Sequence, residues 1–113
     1  MAQELEGIAE ALDAFAVSLE EGRYYDAHED IEKLWYPRRF DDDDEVRLWK
    51  GMINAAVAFE LRRRGRPKPS ETAWKTYLKY RPLMDTHVSA HKELYVRIMN
   101  LIERQRGKLC PNS

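Results

Sequence analysis

Apolar residues recur along this chain with the period of a helix. From 2 to 20, Leu5, Ile8, Ala9, Leu12, Phe15, Ala16 and Leu19 repeat at i, i+3, i+4 and i+7, leaving one apolar face and one acidic face. Gly22 follows Glu20-Glu21 where a helix stop is expected. The next stripe begins almost at once: Tyr24, Ala27, His28, Ile31, Leu34 and Trp35 predict a second helix over 24–36, ended by Pro37. Helices joined so tightly run antiparallel. A third helix over 43–64 places Val46, Trp49, Met52, Ile53, Ala56, Phe59 and Glu60 along one side, widened by Ala55, Val57 and Ala58. Being the most apolar, it is expected at the centre. The run from Arg62 to Pro69 then breaks the pattern, with Gly65 as the stop and two prolines against immediate resumption. Ser70 is the expected N-cap of a fourth helix carrying Trp74, Tyr77 and Leu78, which Pro82 ends. Met84, Val88, His91, Leu94, Tyr95, Ile98, Leu101 and Ile102 predict a fifth over 84–106, with residues 107–113 as a frayed tail. With no strand-like alternation and no repeat, the expected fold is all-α. It is a compact bundle of about five helices with antiparallel neighbours, in a single domain over 1–113.

Length agrees with one core, since 113 residues bury enough surface to need no disulfide or metal staple. The acidic start lacks the basic segment and apolar run of a secretory signal, and no stretch of 18 apolar residues exists, so no membrane association is expected. The lone Cys110 cannot form an internal disulfide bridge, which points to a reducing cytoplasm.

Charge is distributed unevenly. Residues 1–45 hold four Lys/Arg against 15 Asp/Glu, whereas residues 46–113 hold 15 against five. Halves of opposite sign are expected to pair across the bundle or across a homo-oligomer contact, each exposed pair contributing about 0–1 kcal/mol. Asp41-Asp42-Asp43-Asp44-Glu45 suits the N-terminus of the third helix, facing the positive end of its dipole. It lacks the alternating spacing and central glycine of a calcium loop. The basic segment Arg62–Lys68, with Trp74, Tyr77 and Tyr80 nearby, has the composition of a nucleic-acid contact. The spacing of Trp74, Tyr77 and Leu78 fits core packing better, so helix capping is preferred there. Trp35 and Trp49 are read as core anchors.

Several ionisable residues fall on the apolar stripes. At 100° per residue His28 lies about 20° from Trp35, and Glu60 about 20° from the direction of Trp49. An unpaired carboxylate removed from water costs several kcal/mol, so Glu60 needs a proton or a partner, and His28 on the adjacent helix is the expected one. Glu32 stands one turn beyond His28, beside Tyr25. His87 and His91 are also four apart. His28, Glu32, Glu60 and His91 are therefore a candidate metal set, with nitrogen and oxygen donors suited to zinc, manganese or iron. Three accounts stay open. His28 and Glu60 form a packing pair; or His28, oriented by Glu32 and Glu60 with Tyr25 as hydrogen-bond donor, does acid/base chemistry; or the set holds a divalent metal. The opposing class is a non-catalytic interaction or oligomerisation module. His28-Glu29-Asp30-Ile31-Glu32 departs from the H-E-x-x-H metalloprotease pattern in its second ligand, and no phosphate loop or nucleophile elbow is present. The small-molecule ligand is not specified by the sequence.

The run Gly22-Arg23-Tyr24-Tyr25-Asp26-Ala27-His28-Glu29-Asp30-Ile31-Glu32-Lys33-Leu34-Trp35 resembles the hallmark of a prokaryotic family known as domain of unknown function 309. The resemblance continues through Lys50-Gly51-Met52-Ile53-Asn54-Ala55-Ala56 to Arg63-Arg64-Gly65-Arg66, about 45 of the 113 residues. It implies a compact helical bundle and marks Gly22, Tyr25, His28, Glu29, Glu32, Trp35 and Gly51. Where the family commonly has Gln before this glycine the chain has Lys50, and where His is expected it has Glu60. The second change weakens the carry-over of a two-imidazole metal site and leaves the acid/base account open.

Overall fold

Both glycine stops are built by the same backbone motif, and together they set the topology. In the computed structural model, which describes residues 2–87 and 89–110 (2–6 by backbone alone), Gly22 and Gly65 take φ of +73° and +75°. The Gly22 N–H donates to Leu19 O at 3.1 Å and Arg23 N–H to Ser18 O at 2.8 Å. Gly65 N–H donates to Arg62 O at 3.0 Å and Arg66 N–H to Leu61 O at 2.9 Å. These nested bonds satisfy the last helical carbonyls, and the left-handed φ they need favours glycine.

The element order is α1 (Ala2–Glu20), α2 (Tyr24–Trp35), a 3₁₀ turn (Tyr36–Arg38), α3 (Asp44–Arg63), α4 (Pro67–Tyr80), the single turn α5 (Leu83–Thr86) and α6 (Lys92–Leu109). The described residues thus form an all-α bundle of five long helices. Ser18 Oγ donates to Asp30 Oδ2 at 3.0 Å, a bond between α1 and α2 across the Gly22 turn, as helices folded back on one another require. Ser70 Oγ donates to Ala58 O at 2.7 Å, and Gly51 lies against Tyr77 and Tyr80, so α3 and α4 fold back about Gly65 in the same way. A Cβ on Gly51 would stand 3.1 Å from the Tyr80 Cβ, so α4 approaches α3 closely only because this position is glycine.

Burial follows the predicted stripes. Ile8, Leu12, Phe15, Ala16 and Leu19 of α1 meet Tyr24, Ala27 and Ile31 of α2, while α3 is buried on nearly all sides. Trp49 is buried, and Trp35 packs partly exposed against the core. The Cα radius of gyration of 13.3 Å is that of a close-packed chain of this length. No described helix is long and apolar enough to cross a membrane. Leu5 of the predicted stripe is described by backbone alone, and Val88 and residues 111–113 lie outside the described residues.

Four expectations are corrected. Helix α4 begins at Pro67, not after Ser70: Pro67 and Pro69 occupy the first turn, where a missing N–H costs no intrahelical bond, and Ser70 is buried inside the helix. The expected 84–106 helix is interrupted between Thr86 and Lys92, where Ser89 Oγ accepts from the His91 N–H at 3.1 Å and donates to Glu45 at 3.0 Å. Local side-chain bonds there compete with the helix. At the far end α6 runs through Gly107 to Leu109, which packs on the core beside the buried Cys110. Finally, the ion pairs form largely within each half of the chain, as in Arg62 and Arg106 with Glu71 or Arg81 with Glu103, although Arg97 to Glu20 at 3.3 Å does join α6 to α1. The acidic run caps α3 as foreseen, with the Asp43 side chain accepting from Glu45 N–H at 2.8 Å.

Candidate functional site

The antiparallel crossing of α2 and α3 leaves a groove of about 200 Å³ beside the two glycine turns. Ala56, Val57 and Leu61 of α3, with the ring of Tyr24, supply its apolar surface; Tyr25, His28, Glu60 and Arg64 supply the polar groups. Small residues at 56 and 57 make the recess possible, because larger side chains there would fill it. His28 Nε2 stands 3.0 Å from Glu32 Oε2, an i, i+4 ion-pair contact, and the His28 side chain keeps 25% of its exposure. The other ring nitrogen, Nδ1, has no hydrogen bond among the described residues and is not buried. One face of the imidazole is thus held and the other is open. Tyr25 stands edge-on to it at 5.9 Å between ring centroids, more than half exposed.

Glu60 points into the same groove but pairs within its own helix. Oε2 accepts from Arg63 Nη2 at 2.6 Å and Oε1 from Arg64 Nε at 2.9 Å. Burial pushes its carboxyl up, and the two guanidinium hydrogen bonds more than offset this, so it rests below the ordinary carboxylate range. Arg63 also donates to Gly22 O at 2.6 Å and lies 4.8 Å above the Tyr24 ring, tying the two glycine turns together. The Tyr24 hydroxyl is raised by burial; it donates to Gln105 Oε1 at 2.8 Å, while Gln105 Nε2 donates to Leu19 O at 3.0 Å. The groove therefore rests on a pinned floor.

The expected pair of His28 with Glu60 is not formed. The two share a groove, but each finds a partner one turn away on its own helix, which costs less chain ordering than a contact across the gap. His91 is not in the groove. The interruption before α6 moves it to that helix's N-terminus, where it lines a separate recess with Ala90, Lys92, Glu93 and Leu94. The proposed metal set of His28, Glu32, Glu60 and His91 is thus not brought together. Both Glu60 oxygens are taken by guanidinium groups, and no group of three or more His, Cys, Asp or Glu among the described residues is placed to hold a metal. Sequence reasoning missed Arg63 and Arg64; the i+3 and i+4 spacing from Glu60 was the available signal.

It also missed a second polar cluster at the opposite end of α3. Glu45 Oε2 accepts from Tyr95 Oη at 2.6 Å and from Ser89 Oγ at 3.0 Å, and Tyr95 Oη accepts from Trp49 Nε1 at 2.8 Å. Burial, with the hydrogen bond to Glu45, raises the Tyr95 hydroxyl. His87 Nε2 is 3.8 Å from Glu45 Oε1 and makes no hydrogen bond. The signal here was that buried Trp and Tyr need partners for their polar ends.

Fold and groove define a small helical-bundle protein bearing a histidine–glutamate pair at the rim of an apolar recess. Residues 12–73 match the family described as Domain of unknown function (DUF309), and the chain belongs to that family. The matched span contains every residue of the groove. No curated protein and no solved structure matches the chain.

Proposed function

We propose that the α2–α3 groove is the functional site, a recess that admits a small molecule and in which His28 carries a proton. The observation behind this reading is the divided imidazole: Nε2 is held 3.0 Å from Glu32, Nδ1 has no hydrogen bond to the described residues, and the residue lines an apolar recess. A carboxylate on one ring nitrogen fixes the ring's orientation and tautomer, which leaves the other nitrogen to give or take a proton. Glu32 is the positioning residue. Glu60, held by two arginines, shapes the groove, and Tyr25 lines it, more than half exposed, with a hydroxyl that can donate. The set offers one imidazole and one nearby carboxylate to a divalent metal, fewer ligands than the four of a structural zinc site. We place this activity in the cytoplasm, on the ground that Cys110 is the chain's one cysteine and so has no second cysteine with which to form an internal disulfide.

The test is side-chain NMR of His28 during a screen of small soluble compounds. Compounds that bind are expected to move the His28 imidazole and the Val57 and Leu61 methyls together, and His28→Gln to lose the response. A screen in which those resonances stay fixed while others move would overturn the reading.

A second reading, a non-catalytic interaction module, is favoured by one observation. Phe40 is 87% exposed, and the Arg39 guanidinium lies 3.7 Å from the Tyr36 ring centroid and 4.6 Å from that of Phe40. Such a stacked aromatic and arginine surface is typical of interface centres. If it joins copies of this chain, light scattering after size exclusion reports a mass above 13.4 kDa that Phe40→Ser returns to the monomer. A monomeric wild-type protein would remove that form of the reading. Nucleic-acid contact through Arg62–Lys68 is the lesser form, since Arg62 is paired with Glu71 and Arg63 with Glu60 and the Gly22 carbonyl.

A further inference from the structure

We infer that the ligand of the α2–α3 groove is a small free organic acid, whose carboxylate meets Arg64 and His28 and whose apolar body rests on Val57 and Leu61. The inference rests on the proposed small-molecule reading of the groove and adds the class of ligand. It comes from counting hydrogen-bonding capacity and charge around the recess.

Arg64 donates to Glu60 through Nε alone; its Nη1 and Nη2 have no hydrogen bond to the described residues, and the side chain is 64% exposed at the groove rim. The terminal edge of a guanidinium offers two parallel N–H groups, a geometry that matches a carboxylate. Glu60 cannot serve as that carboxylate, because it already accepts from Nε of Arg64 and from Arg63. Its role is to hold the Arg64 head against the groove.

Charge points the same way. The groups facing His28 are Tyr25 and Glu32 on α2 and Glu60 with Arg64 on α3, and Arg63 lies behind Glu60 over the Tyr24 ring. Two carboxylates face two guanidinium groups, and the N–H groups left unused at the groove rim belong to a cation, Arg64. An acid bound as its anion supplies the acceptor those groups lack. A cationic ligand would meet Arg64 and the imidazole, and the one carboxylate that lines the groove, Glu60, already pairs with two guanidinium groups. The groove volume of about 200 Å³ and its apolar floor favour a short branched or single-ring acid over a larger molecule.

The experiment titrates benzoate, benzamide and benzylamine, three probes of one shape and different charge, into the whole protein while following the His28 imidazole and the Val57 and Leu61 methyls. Benzoate is expected to bind at least about tenfold more tightly than benzamide, the ratio worth about 1.4 kcal/mol from one charge-assisted contact. Benzylamine should leave these resonances in place. Arg64→Gln should bring benzoate down to the benzamide level without changing benzamide, and Arg66→Gln, a neighbouring cation outside the groove, should change neither. Benzamide or benzylamine binding as well as benzoate, or benzoate unaffected by Arg64→Gln, would overturn the acid assignment and leave the groove standing as a site. If no probe moves the groove resonances, the acid assignment and the groove reading fall together. A tripeptide ending in phenylalanine with a free carboxylate tests the other source of this chemistry. Tighter binding than benzoate would assign the groove to a peptide terminus and overturn the free acid.

Discussion

At the first turn of α3, Glu45 is closed over by Tyr95, Ser89 and, behind them, Trp49; about 22 Å further along the same helix, Glu60 faces an open groove. Each carboxylate has a histidine within its neighbourhood, and each is satisfied. They differ in what is left over. Around Glu45 the donors are the neutral hydroxyls of Tyr95 and Ser89, Tyr95 in turn accepts from the Trp49 indole, and the buried His87 Nε2 stands 3.8 Å from the carboxylate. Around Glu60 the donors are two guanidinium groups with N–H capacity to spare, and the His28 imidazole keeps a ring nitrogen open. A polar cluster whose hydroxyl and indole donors bond to one another and to a buried carboxylate holds the fold. One with surplus capacity beside an apolar recess is equipped to bind.

The largest effect is therefore expected at the closed end. Trp49→Ala removes a side chain that is 1% exposed and leaves Tyr95 without its indole donor, so a stability loss of about 3–5 kcal/mol is expected in denaturant unfolding. A loss below about 1 kcal/mol would mean that the closed end does not anchor α3 to α6. Glu45→Gln keeps the size but weakens the acceptor for Tyr95 and Ser89; about 1–3 kcal/mol is expected, the cost of poorly satisfied buried donors. Should Glu45→Gln prove milder than Glu60→Gln, the contrast drawn between the two ends would be reversed.

How much of this was legible in the sequence depends on whether the decisive contact is local. The α1 stripe, the glycine stops and the centrality of α3 follow from periodicity and backbone rules that act over a turn or two. So does the contact of His28 with Glu32 at i, i+4. Glu60 was rightly placed on the groove side, but its partner was misassigned. A carboxylate seeking a cation takes Arg63 and Arg64 one turn away before it takes a histidine on another helix. The Glu45 cluster depends on residues up to 50 positions apart, Tyr95 and Ser89, which meet only after α6 is packed. That same contact breaks the helix before α6 and carries His91 away from the groove. No one-helix pattern contains it.

An intermediate effect at the open end has a sign that pH can check. The Glu60 carboxyl lies below its ordinary value of about 4.5 in the folded chain, so the stability it contributes is present above that pH and is lost as pH falls through the depressed value. Glu60→Gln is expected to cost about 1 kcal/mol or less near neutrality, because its partners are half or more exposed and solvent screens them. Toward acid the wild-type and variant stabilities should converge. Glu71, lowered by Arg106, supplies its own acid dependence to both proteins and cancels in the difference. Two acid limbs running parallel would show that Arg63 and Arg64 do not hold Glu60 as described.

The smallest stability effect belongs to the residues assigned the most chemistry. His28 and Glu32 are 25% and 43% exposed in their side chains, and surface pairs at i, i+4 contribute only about 0.3–0.5 kcal/mol. Glu32→Gln should therefore unfold within about 0.5 kcal/mol of the wild type. Its effect should fall on the imidazole instead. With the carboxylate at Nε2 the neutral ring carries its proton there and leaves Nδ1 as the acceptor toward the groove, whereas an amide accepts more weakly and shares the proton between both nitrogens. Nitrogen NMR of the ring should show the wild-type His28 biased to the Nε2–H form and that bias lost in Glu32→Gln. If the tautomer is unchanged while stability falls by more than about 1 kcal/mol, the pair is an ordinary helix brace. The open end would then share the inward character of the closed one.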